Sequence, residues 1–177
     1  MSTHNEKLLE LAMQRAVHGK GDLAASLAET CLAPGAGLTE KELTLAFDIV
    51  RILINSVDVG IRRHLSEYLA DRSDLPSDLV TALIHDDIAV AYPVLVHNQM
   101  LNDETLIEVV EKRGKLHQMA VSIRDQVSKH VSCALTATAD LDVIESLLYN
   151  KAAKIDAETL DRKSTRLNSS HQIISYA

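Results

Sequence analysis

The segment "HDDIAVAYPVLVHNQMLNDETLIEVV", residues 85–110, contains an apolar stretch, a polar turn and a second, amphipathic stretch. Apolar residues in both stretches recur at spacings of three and four, which is the pattern of helices and not of strands. Between the stretches Leu101 precedes Asn102, a residue that commonly caps helices, and apolar Leu106 follows in the next turn. This order is typical of a hydrophobic residue packed against the first turn of the following helix. The segment is therefore predicted to form two short antiparallel helices.

The same order of residues recurs from position 58 onward, and successive copies are separated by 26, 26 and 28 residues. A regular period predicts a solenoid, because one helix pair cannot bury its apolar face and its stacked neighbours do so. We therefore expect an all-α fold, a short α-solenoid with helices of about 9–12 residues. The apolar residues before the caps are Leu75, Leu101, Val127 and Ile155; the helix-starting residues are Pro76, Asn102, Ser128 and Asp156; the apolar residues that follow are Leu79, Leu106, Val131 and Leu160.

The N-terminal segment, residues 1–57, is predicted to add three helices to the same solenoid. The glycines of "HGKGD", residues 18–22, are interpreted as the end of the first helix, and Asp22 as the cap of the second. The third helix follows a proline- and glycine-rich loop and is the longest, reaching residue 57. Thr39 and Glu42 have the spacing of a capping box at its start.

Pro93 interrupts the apolar stretch "IAVAYPVLV". Proline lacks the backbone N–H of a helix interior and its ring crowds the preceding turn. The helix is therefore predicted either to kink at Pro93 or to begin there.

The composition, 46% hydrophobic and 24% charged, is ordinary for one globular domain. The longest apolar run, residues 88–96, is about half of the ~20 residues that span a bilayer, so we expect no membrane span. The N-terminus lacks the basic start and apolar run of a secretory signal, and we expect a cytoplasmic protein. Cys31 and Cys133 lie far apart among alanine and leucine, and we interpret them as buried free thiols.

Eight histidines are present without the spacing of a metal site, and no metal or cofactor is predicted. The nearest approach is His85 followed by Asp86 and Asp87, but adjacent residues on a helix point in different directions. This group is interpreted as a cap between repeats. His64 and His117 could in principle accept a phosphoryl group, but both are interpreted as ordinary half-exposed histidines.

Nucleophilic catalysis has equally little support in the sequence. Ser66, Ser122 and Cys133 have histidines nearby along the chain, but sequence proximity does not establish the required geometry. The chain is therefore predicted not to be an enzyme, and catalysis or phosphotransfer is kept as a minor alternative.

Basic residues are scattered, and the net charge of −7 opposes a phosphate-driven partner, so nucleic acid is the less favoured alternative. The favoured hypothesis is a protein–protein interaction module or scaffold, because stacked helical repeats offer an extended surface to a partner protein. No binding residue is assigned and the oligomeric state is left open. Glu104, Glu108, Glu111 and Lys112 are interpreted as solvated surface. The scattered basic residues considered for this alternative are Arg62, Arg63, Arg72, Lys112, Arg113, Lys115 and Arg124.

Residues 85–110 resemble the most recognisable stretch of a bacterial family, domain of unknown function 2336. The similarity lies in the pair Asp86 and Asp87, in "IAVAYPVL" and in "LNDETLIE", and "HQMAVSIRDQVSKHVSCAL" at 117–135 resembles the family's next repeat. The resemblance covers about residues 5–160. It implies a HEAT-like helical solenoid in the bacterial cytosol, and it supplies no catalytic residues.

The last segment, "DRKSTRLNSSHQIISYA" at 161–177, resembles a translated sequencing adapter. Its reverse translation reproduces a standard short-read adapter, with Gln172 and Ile173 at the variable index. The segment is interpreted as non-native and is expected to be disordered or unpacked. The native part then consists of the N-terminal helices followed by the repeats at about residues 58–160. The fourth repeat is truncated. We expect that truncation to leave three apolar residues uncovered, Leu147, Leu148 and Leu160.

Overall fold

The computed structural model describes residues 19–24, 26, 27, 29 and 37–155. Residues 19–24 are helical, and the described part holds no β-strand, only an isolated parallel bridge between Val127 and Ala153. The all-α prediction is therefore confirmed. The helices are α1, Glu40–Ile54; α2, Val59–Leu69; α3, Ser77–Ile84; α4, Ile88–His97; α5, Asp103–Lys112; α6, Lys115–Ser122; α7, Lys129–Ala137; and α8, Leu141–Tyr149.

The chain divides into two compact units, Met1–Gln99 and Met100–Ala177. In the first unit, α4 packs against both α2 and α3. In the second, α5 packs against α7 and α6 against α8, while neighbouring helices along the chain also touch. Contact between every second helix is the arrangement expected of stacked helix pairs. The earlier division into residues 1–57 and 58–160 stays a prediction.

Most predicted helix starts are confirmed by the caps. Thr39 and Glu42 form the expected capping box, with the Thr39 backbone N–H donating to Glu42 Oε2 at 2.8 Å. Asn102 accepts from the Thr105 backbone N–H at 2.8 Å, and Ser128 accepts from that of Val131 at 3.2 Å. These bonds satisfy N–H groups that the helix itself cannot pair. Pro76 precedes α3 without a side-chain cap, and the Asp156 cap lies outside the described residues.

Three other helices start at an aspartate cap. Asp58 accepts from the backbone N–H groups of Gly60 and Ile61, Asp87 from that of Ala89, and Asp140 from those of Asp142 and Val143. The group His85, Asp86 and Asp87 is interpreted from the sequence as a cap between repeats, and Asp87 does cap α4. Local side-chain chemistry therefore fixes where these short helices begin.

The core consists of leucine, valine, alanine and isoleucine with a single phenylalanine, Phe47. Leu79, Leu106 and Val131, predicted to follow each cap inside the core, are all buried. Burying each such side chain contributes roughly 1.5–3 kcal/mol. Leu160 lies outside the described residues.

The contacts that join helix pairs recur at the repeat spacing. Asn98 at the end of α4 donates from Nδ2 to the Arg72 carbonyl at 2.9 Å, and Asn150 at the end of α8 donates to that of Arg124 at 2.7 Å. In both cases donor and acceptor are 26 residues apart. The C-cap asparagines therefore tie one helix pair to the preceding pair, once within each unit.

The glycines at 19 and 21 do not end a helix, because residues 19–24 are all helical. Asp22 lies inside this helix, so its predicted role as a cap is wrong. A Cβ at Gly21 would lie 2.6 Å from Cδ1 of Ile61, the third residue of α2. The absent side chain of Gly21 therefore leaves space for Ile61, although glycine costs a helix about 1 kcal/mol.

Two helix boundaries also differ from the predictions. α1 ends at Ile54, three residues before residue 57, with Asn55 as its C-cap. α4 begins at Ile88 and continues through Pro93, so a helix start at Pro93 is wrong. Because Pro93 is only the sixth residue of α4, its missing N–H removes a single helical hydrogen bond near the N-terminus.

Candidate interaction surface

Large apolar side chains are exposed on α6 and α8 in the second unit. Leu116 and Ile123 on α6 and its C-cap are 58% and 42% exposed, and Leu141, Leu148 and Tyr149 on α8 are 62%, 50% and 77% exposed. Within the described part of this unit, α5 and α7 expose no large apolar side chain. We call these five residues the apolar face of α6 and α8.

The spacing of these residues follows from helix geometry. Leu116 and Ile123 are seven residues apart, as are Leu141 and Leu148, and seven residues make close to two turns. Met119 and Ile144, both half-buried, lie between the members of each pair on the same side. Each helix therefore carries an apolar stripe outside its buried face.

Polar contacts hold α6 and α8 side by side. Ser122 Oγ donates to Ser146 Oγ at 2.7 Å, and Lys115 Nζ lies 3.1 Å from Asp140 Oδ1 and also contacts Asp142. The Lys115 contacts join the N-terminal ends of the two helices, and the Ser122 contact joins their C-terminal halves. Helices α6 and α8 therefore run parallel. Hydrogen bonds to Asp142 and Asp140 raise the pKa of Lys115 above its usual value.

Helix α5 of the same unit presents charge instead. Glu104, Glu111 and Lys112 on α5 are exposed, and Glu108 is paired with Lys112 at 2.8 Å. Hydrogen bonding to Glu108 raises the pKa of Lys112. The interpretation of these side chains as solvated surface agrees with their exposure.

The group His85, Asp86 and Asp87 does not converge on a common point. Asp86 accepts two hydrogen bonds from the Arg62 guanidinium, at 2.7 and 2.9 Å, and Asp87 caps α4. His85 is the C-cap of α3. Within residues 37–155 and the described positions before them, no group of three or more histidine, cysteine and acidic residues is placed to hold a metal ion.

The two histidines considered for phosphotransfer differ in their surroundings. His64 is exposed and packs edge-on against Tyr68, with 5.1 Å between the ring centroids. His117 is buried, so its interpretation as half-exposed is wrong. The helical periodicity placed His117 beside Ala120 and Val121 on the inner face of α6, but the sequence alone did not show that this face is fully covered.

The three candidate nucleophiles lie in separate places. Ser66 donates to the Val90 carbonyl at 2.5 Å, and Ser122 donates to Ser146. Cys133 is exposed and free, which corrects its interpretation as a buried thiol. It projects outward from α7, whose buried residues are Val131, Ser132 and Leu135. Cys31 lies outside the described residues.

Acidic partners neutralise most of the basic residues singled out in the sequence. A phosphate-binding surface needs clustered and available positive charge, and these pairs reduce the charge that is available. Arg124 is buried, and burial lowers the pKa of its guanidinium. Ion pairs join Arg62 to Asp86, Arg63 to Glu67, Arg72 to Asp74, Lys112 to Glu108, and Lys115 to Asp140 and Asp142.

The apolar face was not predicted from the sequence, in which no binding residue is assigned. The available signal was an extra apolar residue beside each buried stripe: Leu116 precedes His117 and Leu148 follows Leu147. Leu148 is half-exposed as predicted, whereas Leu147, predicted to be uncovered, is fully buried. The core-facing side of α8 is therefore covered, and the exposed apolar residues lie on its other sides.

A family model described as an uncharacterised protein conserved in bacteria (DUF2336) matches residues 90–174. The match confirms the family that residues 85–110 indicated, and it extends past Leu160 into the segment interpreted as adapter. No curated protein and no solved structure matches the chain. Of the helices that the structure describes, none is long and apolar enough to cross a membrane.

Proposed function

We propose that this chain, which across residues 90–174 belongs to the DUF2336 family, is a protein–protein interaction module built as a HEAT-like solenoid. The observation that supports the proposal is that, among the helices of the second unit, α6 and α8 carry exposed large apolar side chains whereas α5 and α7 carry none. Grouped apolar exposure is uncommon on monomeric proteins and marks interaction sites.

The ion pairs add a second line of support. They occupy five of the seven basic residues considered for nucleic acid, whereas Leu116, Leu141 and Tyr149 offer apolar area to a partner. A few well-packed residues near the centre of an interface, often tyrosine, tryptophan or arginine, contribute most of its binding energy. We propose that the chain binds a protein in the cytoplasm without catalysing a reaction.

Substitutions on the apolar face test this proposal. The immobilised chain is expected to capture a discrete protein from lysate of the bacterium that encodes it, and Leu116→Glu combined with Ile123→Glu should reduce that capture at least about tenfold. The variant is expected to keep the far-UV circular dichroism and melting temperature of the parent, because both side chains are exposed. Capture is measured by quantitative mass spectrometry of the eluted proteins.

Ile52→Glu is the matched control, because Ile52 on α1 is 71% exposed and lies in the other unit. Its capture should equal that of the parent chain. Equal capture by all three proteins would overturn the proposal, as would salt-sensitive retention on DNA in place of a protein partner.

A further inference from the structure

The exposed stripe of α8 occupies positions that on α6 contact the next helix. Lys115 and Ser122 face α8 and touch it. One repeat of 26 residues later, the corresponding positions are Leu141 and Leu148, with Ile144 between them. α8 therefore carries apolar side chains on the side that α6 uses to bind a further helix.

The charges around this stripe have opposite signs at its two ends. Asp140 and Asp142 lie at the N-terminal end of α8, where both pair with Lys115 and leave a net charge of −1, and exposed Lys151 and Lys154 follow its C-terminal end. An antiparallel helix of the same sequence would place acidic residues near lysines at both ends. A parallel copy would place like charges together. The helix dipoles also favour the antiparallel orientation.

The apolar stripe is compatible with the same orientation. Leu141 lies three residues before Ile144 and Leu148 four residues after it, so the two leucines are nearly equally spaced from the centre of the stripe. In an antiparallel pair each leucine lies over the other leucine of the second copy. A twofold axis produces such a self-complementary contact, in which one patch serves both copies.

We propose that a second copy of the chain binds at α8, with the two α8 helices antiparallel and Leu141, Ile144 and Leu148 at the contact. The inference rests on the proposed function and names the partner for the α8 part of the apolar face. Because α8 has only nine residues, the contact is small and the dimer is weak and concentration-dependent.

Sedimentation equilibrium of the purified full chain tests the self-association. The parent chain is expected to shift from monomer to dimer over the micromolar range. Leu141→Asp combined with Leu148→Asp should weaken the dimer at least about tenfold, and Ile52→Asp on α1 should leave it unchanged. A monomer up to about 1 mM would overturn the inference.

Charge reversal provides a second variant that does not disturb an apolar side chain. Lys151 and Lys154 are both exposed, so Lys151→Glu with Lys154→Glu is expected to preserve the fold. The reversed charges should weaken the dimer several-fold, because each acidic end then meets acidic residues. An unchanged dimer constant would overturn the antiparallel arrangement.

Engineered cysteines test the orientation directly, in a chain carrying Cys31→Ser and Cys133→Ser. Antiparallel helices predict a disulfide between a Leu141→Cys copy and a Leu148→Cys copy when the two are mixed, and much less in either variant alone. Cross-linking of Leu141→Cys with itself at an equal or higher yield would overturn the arrangement. Yields are measured by non-reducing electrophoresis.

The two proposals fail in different ways. Self-association is measured with the purified chain alone, whereas capture requires a different protein and is tested at Leu116 and Ile123. A monomer that still captures a partner overturns the α8 inference and leaves the proposed function standing. A dimer through α8 without any captured protein supports the α8 inference and overturns binding of a different partner.

Discussion

Arg62 and Asp86 form an ion pair that is mostly buried, and Arg62 Nη1 also donates to the Val57 carbonyl at 2.9 Å. The hydrogen bonds to Asp86 raise the pKa of Arg62 above its usual, already high, value. We expect Asp86→Asn to lower the free energy of unfolding by about 1–3 kcal/mol, because the guanidinium stays partly buried without its carboxylate. Urea unfolding at pH 7 measures the loss.

The control for this prediction is Glu67→Gln, which removes the charge from the exposed Arg63–Glu67 pair on α2. That pair is solvated, so its loss should cost less than about 0.5 kcal/mol. Equal losses for the two variants would mean that the burial of Arg62 and Asp86 does not strengthen their pair.

The pair of Arg72 and Asp74 gives stability a dependence on pH. Hydrogen bonds from Arg72, at 2.9 and 2.7 Å, lower the pKa of Asp74 below its unfolded value. The unfolded chain therefore takes up a proton first, and the stabilisation present above about pH 4 is lost as pH falls through the folded pKa. Because Asp74 is nearly half exposed, Asp74→Asn should cost below about 1 kcal/mol at pH 7.

A double-mutant cycle with Arg72→Gln measures this coupling and removes the separate contribution of Arg72 over the Phe47 ring. The coupling energy should shrink as the pH is lowered below about 4, because the folded carboxylate is then progressively protonated. A coupling energy that stays constant as the pH falls would contradict the assignment of the pKa shift to Arg72.

The asparagines that end α4 and α8 join successive helix pairs, and they carry the next prediction. Asn98→Ala and Asn150→Ala should each lower the free energy of unfolding by about 1–2 kcal/mol, because each leaves backbone carbonyls without their donor. Asn150 donates to two carbonyls, those of Ser122 and Arg124, at 2.8 and 2.7 Å. The losses are measured by urea unfolding, and the dependence of the free energy of unfolding on urea concentration should equal that of the parent chain.

Asn55→Ala is the matched control for the asparagine prediction, because Asn55 donates only to Arg51 within its own helix, at 3.2 Å. This exposed bond should contribute less than about 0.5 kcal/mol. If Asn150→Ala costs no more than Asn55→Ala, the contacts at repeat spacing do not hold the helix pairs together.

The sequence predicted the helices well because their signals are local. Thr39 with Glu42, Asn102 and Ser128 are caps whose bonding partners lie within three residues. The prediction that failed at Gly21 depends on a tertiary contact. Gly21 lies close to Ile61 of α2, and no local sequence pattern reveals that contact.

The candidate surface was not predictable to the same degree. An apolar residue on a short helix contacts the core or solvent according to which neighbouring helices cover it, and the sequence does not specify that cover. Leu147 and Leu148 are adjacent and chemically identical, yet one is buried and the other half-exposed. For the same reason His117, expected to be half-exposed, is buried, and Cys133, expected to be buried, is exposed.

For the whole chain, residues 161–177 provide the last test, because the adapter interpretation and the family match assign them opposite roles. An adapter-derived segment contributes no stabilising contacts, whereas a family segment extending to residue 174 would pack on the fold. We expect a chain that stops at Leu160 to keep its far-UV circular dichroism and to melt within about 2 °C of the full chain. The deletion changes the net charge from −7 to −9, because it removes Arg162, Lys163 and Arg166 with Asp161.

The control is a chain in which the order of residues 161–177 is scrambled, which keeps both length and charge. If the segment is adapter, the scrambled, deleted and parent chains should melt together. If both altered chains melt several degrees lower, the segment carries sequence-specific packing and the adapter interpretation is wrong. If only the deleted chain shifts, the cause is the added net negative charge, which increases repulsion within the compact state and is reduced by salt.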